Sequence, residues 1–321
     1  MPDPAAIEEA GRRIGRDIDA SVISSNEDLD LLIRDAGPFD LVTPSDYLVE
    51  RMVAEGSILA LDRERLPGVE RLADWVVDPA WDPGNRHSVP FAFGTTGFLF
   101  DRRACDGEPS WRTLFEPSAG VGVGLLAEVR EVVGAALVAA GHPLNATGGS
   151  ELADAEAILA AAAPSVASIS SDDFVSPVTG GQVAAHHAWS GPAARAVASS
   201  PDLDFALPRE GAVLWVTTAA IPVDARQPDA AYALVGELMK PELARLAVEN
   251  GGYSSPNEAV REALDPALAG DPVLFPGEAV LRSGLTVEAL APEAQTRVEE
   301  VFERTLASPG PPTSGTSTPG P

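Results

Sequence analysis

The feature that most constrains this chain is a repeated change of period in its apolar residues. Phe39 to Thr43 is short and β-prone, Pro44-Ser45 breaks it, and Leu48, Val49, Met52 and Val53 then fall on one helical face. The pattern recurs: Ser88 to Phe100 is strand-like, Gly122 to Leu126 reads as a strand, and Val129 to Ala140 as a small-residue helix stopped by Gly141. Glu151 to Ala163 is helical, Gly180 to Trp189 is a strand ended by Ser190-Gly191-Pro192, and Ala212 to Val223 is again strand-like. Asp229 to Met239 is then helical, and Pro241 opens a further helix that reaches Glu249 and stops at Gly251-Gly252. Strands alternating with helices predict an α/β protein. Ser88 to Phe100, with its glycines, is long enough to act as a crossover, and Pro309 to Pro321, built from Pro, Gly, Ser and Thr alone, predicts a disordered tail. No internal repeat is found.

The first strand–helix junction is the place to look for a ligand. Ser45 is an N-cap candidate, which puts Asp46 and Tyr47 in the first helical turn, beyond the carboxyl end of a strand, where open α/β sheets bind ligands. Composition narrows the ligand's class. Lys and Arg number 22 against 48 Asp and Glu, a net charge of −26, so the chain repels phosphate backbones and anionic lipid and favours small cations. Nucleic acid is not an expected partner, although the same charge is equally explained by solubility alone. Val132 to Gly141 and Ala157 to Ala167, the longest apolar runs, fall short of the roughly 18 residues a membrane helix needs. Cys105 is the single cysteine, so no internal disulfide forms, and the residues after Met1 have neither the basic nor the apolar region of a signal peptide.

Catalytic signatures are missing: there is no phosphate loop, no nucleophile elbow and no His-Glu-x-x-His. Neither a cofactor nor a metal is expected. His186 and His187 are neighbours on a strand and point to opposite faces, which predicts one buried and one exposed histidine rather than an ion site. What remains is a set of aromatics at strand ends and turns, Tyr47, Trp189, Trp215 and Tyr253, near Asp46, Glu128 and Glu131. Aromatic faces and carboxylates suit an organic cation, and the alternative is that these rings are ordinary core.

Five runs occur in a telling order: Phe39 to Met52, Ser88 to Gly97, Ala188-Trp189-Ser190-Gly191, Pro208 to Trp215 with Ala220-Ile221-Pro222, and Gly252 to Asn257. Together they resemble the spermidine/putrescine-binding proteins of bacterial ABC importers, over roughly residues 5 to 306. The resemblance implies a two-lobed, type II periplasmic-binding-protein fold. One lobe would comprise residues 1–100 and 218–265, the other 101–217 and 266–308, with crossover strands between them and the solute held in the cleft as the lobes close. It also implies an extracytoplasmic, membrane-tethered protein that hands a polyamine to a membrane permease and catalyses nothing. Ser45 and Tyr47 match cleft positions, Glu128 and Glu131 the acidic pair that reads an ammonium, Trp189 and Trp215 the aromatic walls, and Tyr253 a cleft tyrosine.

Two departures accompany the resemblance. Where the family pattern is Trp-x-Asp, this chain has Trp215-Val216-Thr217, and losing such a charge-assisted bond costs roughly 1.5 to 3 kcal/mol of amine binding. Family members also place a signal peptide and a first strand before the helix that Ala5 to Ile14 resembles, which implies a start upstream of Met1. The competing expectations are a binding protein for a different solute, a truncated remnant, or an enzyme on the same scaffold.

Overall fold

The computed structural model describes residues 3–23, 26–35, 37–104, 108–118 and 120–306; Cys105 and the Pro309 to Pro321 tail lie outside them. Helix α1 (Pro4–Ile14) is capped by the Asp3 carboxylate, which accepts from the Ala5 and Ala6 N–H groups, and is closed by Gly15 in the left-handed region at φ 66°. Helices α2 (Asn26–Asp35) and α3 (Asp46–Glu55) follow. A series of short 3₁₀ turns between Arg63 and Asn85 then leads to β1 (Ser88–Asp101). After β1 come α4 (Trp111–Phe115), β2 (Val123–Leu125), α5 (Val129–Ala139), α6 (Gly149–Ala162), β3 (Val166–Ile169) and α7 (Ser176–Thr179). Next are β4 (Ala185–Trp189), α8 (Ser190–Ser199), β5 (Leu203–Ala206), β6 (Val213–Ala220), α9 (Pro228–Leu238) and α10 (Pro241–Gly251). Four more helices, α11 (Glu258–Glu262), α12 (Pro266–Ala269), α13 (Glu278–Ser283) and α14 (Pro292–Leu306), complete the described chain.

Strand β1 organises the molecule. Its first half, Ser88 to Thr96, pairs antiparallel with β6, and its second half pairs antiparallel with β4 on one side and β5 on the other. The sheet runs β3-β2-β4-β1-β5 with β6 alongside β1, and the β3-β2-β4 portion is parallel. Two main hydrophobic cores use the two halves of β1. Val89 and Phe93 pack with Val216, Ile221, Tyr232, Val235 and Phe275, whereas Phe98 and Leu99 pack with Trp111, Leu125, Leu137, Leu159 and Val298. A smaller core joins Leu48, Val49 and Met52 of α3 to Ala220 of β6. Burying each such aliphatic side chain contributes about 1.5–3 kcal/mol, so each half has its own reason to stay folded.

Several sequence expectations are corrected. Phe39 to Thr43 forms no strand: Val42 makes one backbone bridge to Ala220 and Ser45 another to Thr217, and Pro44 between them has no N–H to continue a ladder. Its carbonyl instead accepts from the Thr218 N–H and hydroxyl. The strand predicted from Gly180 begins at Ala185, because α7 and a turn at Gly181 (φ 70°) take up the chain before it. Ser190-Gly191-Pro192 does not merely end that strand. It opens α8, where proline's missing N–H lies in a turn that needs none. His186 and His187 do face opposite sides, yet both are fully buried, since helices and loops cover both faces of β4. His187 meets the Trp111 ring edge-on at 5.3 Å and His186 lies 6.0 Å from Phe174. Burial lowers their pKa values to about 3 and about 4, so both rings are neutral at pH 7. Among the described residues no helix is long and apolar enough to cross a membrane.

Candidate functional site

A cavity of about 710 Å³ lies where α3, β6, β4 and the start of α5 converge. Ser45, Asp46, Tyr47, Glu128, Glu131, Trp189, Trp215, Thr217 and Tyr253, which come from five separate stretches of sequence, all line it. The same β1 that links the two cores places these groups, because Thr96 pairs with Trp189 and Gly94 with Trp215.

The α3 wall begins at Ser45, whose extended backbone (φ −79°, ψ 169°) is that of an N-cap. The expected hydroxyl cap is not made, and Ser45 Oγ is buried with no partner among the described residues. The Ser45 N–H donates to Asn26 Oδ1 at 3.0 Å, and Asp46 takes over at the helix start, its Oδ1 accepting from the Tyr47 N–H at 2.9 Å. Asp46 Oδ2 accepts from the Val216 N–H at 3.3 Å, tying α3 to β6. Only 2% of Asp46 is exposed, and burial pushes its carboxyl up to about 7, with the like charge of Glu131 adding to the effect. Tyr47 beside it packs against both the α3 core and the Phe98–Trp111 core, so it spans the junction.

On the α5 wall, Glu128 holds the N-cap position and accepts from Ser171 Oγ at 3.2 Å. Glu131 lies in the first turn and accepts from Trp189 Nε1 at 3.2 Å, so a carboxylate is held against an indole edge. Helix N-termini favour negative charge, which accounts for two acids in one turn without strain. Trp189 is braced edge-on by Phe174 at 6.1 Å, and the Ser190 hydroxyl accepts from the Thr95 N–H, locking the end of β4 to β1.

The remaining aromatics close the cavity. Trp215 and Thr217 stand two residues apart on one face of β6, and Trp215 meets Tyr253 edge-on at 5.6 Å. Gly94 is required beneath Trp215, because any Cβ there overlaps the indole ring. Gly252, left-handed at φ 71°, turns the chain after α10 so that Tyr253 enters the cavity wall. Burial raises the Tyr253 phenol pKa, so it stays protonated and able to donate.

Sequence reasoning missed much of the lining: the segment from Arg16 to Ile23 with Asn26, Asp40 and Arg130, and an apolar end where Leu41 meets Ala230, Ala231, Leu234 and Leu238 of α9. The alternation Asp17-Ile18-Asp19 was the available signal, but it lies outside every recognisable motif. The Arg130 guanidinium is occupied by Asn145, Gln295 and the Glu288 carbonyl. Among the described lining residues six are acidic and two basic, so the cavity presents a negative potential. Described residues supply no cluster of three or more metal-ligating side chains. With both aromatic rings and carboxylates on each of two walls, the chemistry suits a small organic cation.

Comparison with known proteins places this chain among relatives. The profile of the bacterial extracellular solute-binding protein family matches residues 25–276. The spermidine/putrescine-binding periplasmic protein of Escherichia coli is 30% identical over 285 residues, covering 88% of this chain and 82% of that protein. Its counterpart in Salmonella typhimurium is 31% identical over the same span and coverage. Among solved structures, a putative spermidine/putrescine ABC transporter protein of Listeria monocytogenes superposes with a TM-score of 0.89 at 27% identity, covering 95% of both chains. The spermidine/putrescine ABC transporter substrate-binding protein of Streptococcus pneumoniae superposes with a TM-score of 0.82 at 25% identity and the same coverage.

Proposed function

The chain belongs to the bacterial extracellular solute-binding proteins and has the two-lobed type II fold of an importer's substrate-binding component; on that premise we propose that it captures a polyamine-like organic cation of the spermidine/putrescine class and delivers it to an ABC permease in the membrane. The observation that carries this reading is the convergence of four aromatic rings and three carboxylates, from separate elements, on one acidic cavity. Ring faces attract ammonium groups and cover methylenes, and carboxylates accept the ammonium hydrogen bonds. Ser45, Asp46, Tyr47, Trp215, Thr217 and Tyr253 line one side, and Glu128, Glu131 and Trp189 the other. The protein works outside the cytoplasm, tethered to the membrane, and performs no reaction.

Residues 1–100 with 218–265, and 101–217 with 266–308, act as the two lobes, and β1 and β6 are the hinge through which they close on the solute. The separate cores on the two halves of β1 support this division, although Leu214, Val216, Leu274 and Phe275 pack with the Val89–Phe93 core. Calorimetric titration with putrescine, spermidine, a neutral sugar and glutamate tests the function. Amines are expected to bind and the sugar and glutamate are not; binding of either of those two with no response to amines overturns the reading. A second reading, a cation with fewer charges than spermidine, is favoured by Thr217, whose hydroxyl accepts a hydrogen bond without neutralising an ammonium.

A further inference from the structure

We infer that Asp46 is the specificity-determining anion of the α3–β6 wall, receiving the second ammonium of a diamine beside the uncharged Thr217. The inference rests on the proposed capture of an organic cation and assigns the charge that tells a diamine from a monoamine. A linear diamine carries its charges at its two ends, so a cleft that grips both needs an anion on each wall. Glu128 and Glu131 both sit at the start of α5 and serve one wall. On the opposite wall Thr217 carries no charge, and Asp46 is the carboxylate beside it. Ser45 bridges Thr217 backbone to backbone, and the next residue's carboxylate accepts from the N–H of Val216, the residue before Thr217. The charge has thus a place on the helix side of a contact whose strand side lacks one.

Its setting favours this role over a purely structural one. A carboxylate in a first helical turn is stabilising anywhere, and an exposed one would suffice for that. Asp46 is instead 2% exposed on the cavity wall, its oxygens accept from the neutral N–H groups of Tyr47 and Val216, and Glu131 acts on it with a charge of the same sign. Such a buried charge is costly until a cation compensates it. Asp17 and Asp19, which also line the cavity, are exposed to water and screened, and Asp40 accepts from the Gln227 N–H.

The test compares putrescine with n-butylamine, which has one ammonium, by calorimetry at pH 7 on the wild-type chain and on Asp46→Asn, Thr217→Asp and the double variant. Asp46→Asn is expected to weaken putrescine about ten- to hundredfold while changing butylamine about threefold or less, and the double variant to regain most of the putrescine affinity. Equal losses for the two amines mark a structural role and overturn the inference, as does a double variant no better than Asp46→Asn. Should Asp46→Asn fail to fold, Asp46→Thr with Thr217→Asp exchanges the two side chains across the same bridge, and failure of that swap to prefer putrescine overturns it equally. A wild-type chain that binds no amine overturns the cation reading itself. Wild-type binding of putrescine with an unchanged preference in the variants overturns only the role of Asp46.

Discussion

At the scale of single residues, the two acids of α5 make different claims on a cation. Glu131 is held by the Trp189 indole N–H, which aims its carboxylate along the aromatic wall, while Glu128 is engaged by the Ser171 hydroxyl at the helix cap. Glu131→Gln is therefore expected to cost about tenfold in putrescine affinity and Glu128→Gln less, as read by calorimetry; equal or reversed losses contradict the assignment. Asp46 also links pH to stability. Its folded carboxyl titrates near about 7, above the usual value of 3.8, so between those values the folded state holds a proton that the unfolded state has lost. Stability is highest below pH 4 on this account, declines as pH rises to about 7 and is level beyond. The three-unit separation corresponds to on the order of 4 kcal/mol. Urea melts of wild type and Asp46→Asn from pH 4.5 to 8 should differ by that slope, because the opposite contribution of the buried His186 and His187, which grows as pH rises towards 6.5, is common to both proteins.

At the scale of elements, β1 and β6 hold the site by close approach. Gly94 lies directly under Trp215, so Gly94→Ala must push the indole away from Tyr253 or bend the ladder. Overpacking of this kind costs about 1–3 kcal/mol. The variant should melt several degrees lower and lose amine affinity together. Gly149→Ala is the control, because a Cβ there meets nothing within 4 Å and alanine suits the first turn of α6. Its melting temperature should match or exceed that of the parent chain, and a fall equal to that of Gly94→Ala would show that the indole contact is not the cause.

At the scale of the whole molecule, the two cores meet through a few strands and a shared cavity, so on the proposed reading ligand binding is coupled to closure of the lobes. A ligand that binds only the folded chain adds about 2.7 kcal/mol at a hundredfold excess over its Kd. Thermal melts with putrescine should therefore shift upward with concentration, and glutamate at equal concentration should give no shift. Because the net charge is −26, long-range attraction contributes to capture, and association with putrescine should slow as sodium chloride is raised. A stopped-flow rate indifferent to salt would contradict an electrostatic contribution to the encounter.

Much of this protein was determined by the sequence alone, because period and punctuation are local properties. Leu48, Val49 and Met52 repeat at helical spacing after Pro44-Ser45, and Gly141 and Gly252 stop helices where only a chain without Cβ turns easily. Of the nine residues singled out in the sequence, six lie in ordered motifs, Glu128, Glu131 and Thr217 lie outside them, and all nine line one cavity. Tertiary structure decided the rest. Phe39 to Thr43 has strand composition but finds one bridging residue, since pairing depends on a partner far along the chain. Both histidines of β4 are buried because distant helices cover both its faces, which alternation along one strand does not reveal. Asp46 reads in sequence as a first-turn acid at a ligand-binding junction, with nothing to mark it as buried. Only the packing of α3 against β6 removes it from water, and desolvation then changes what its charge costs and what it can bind.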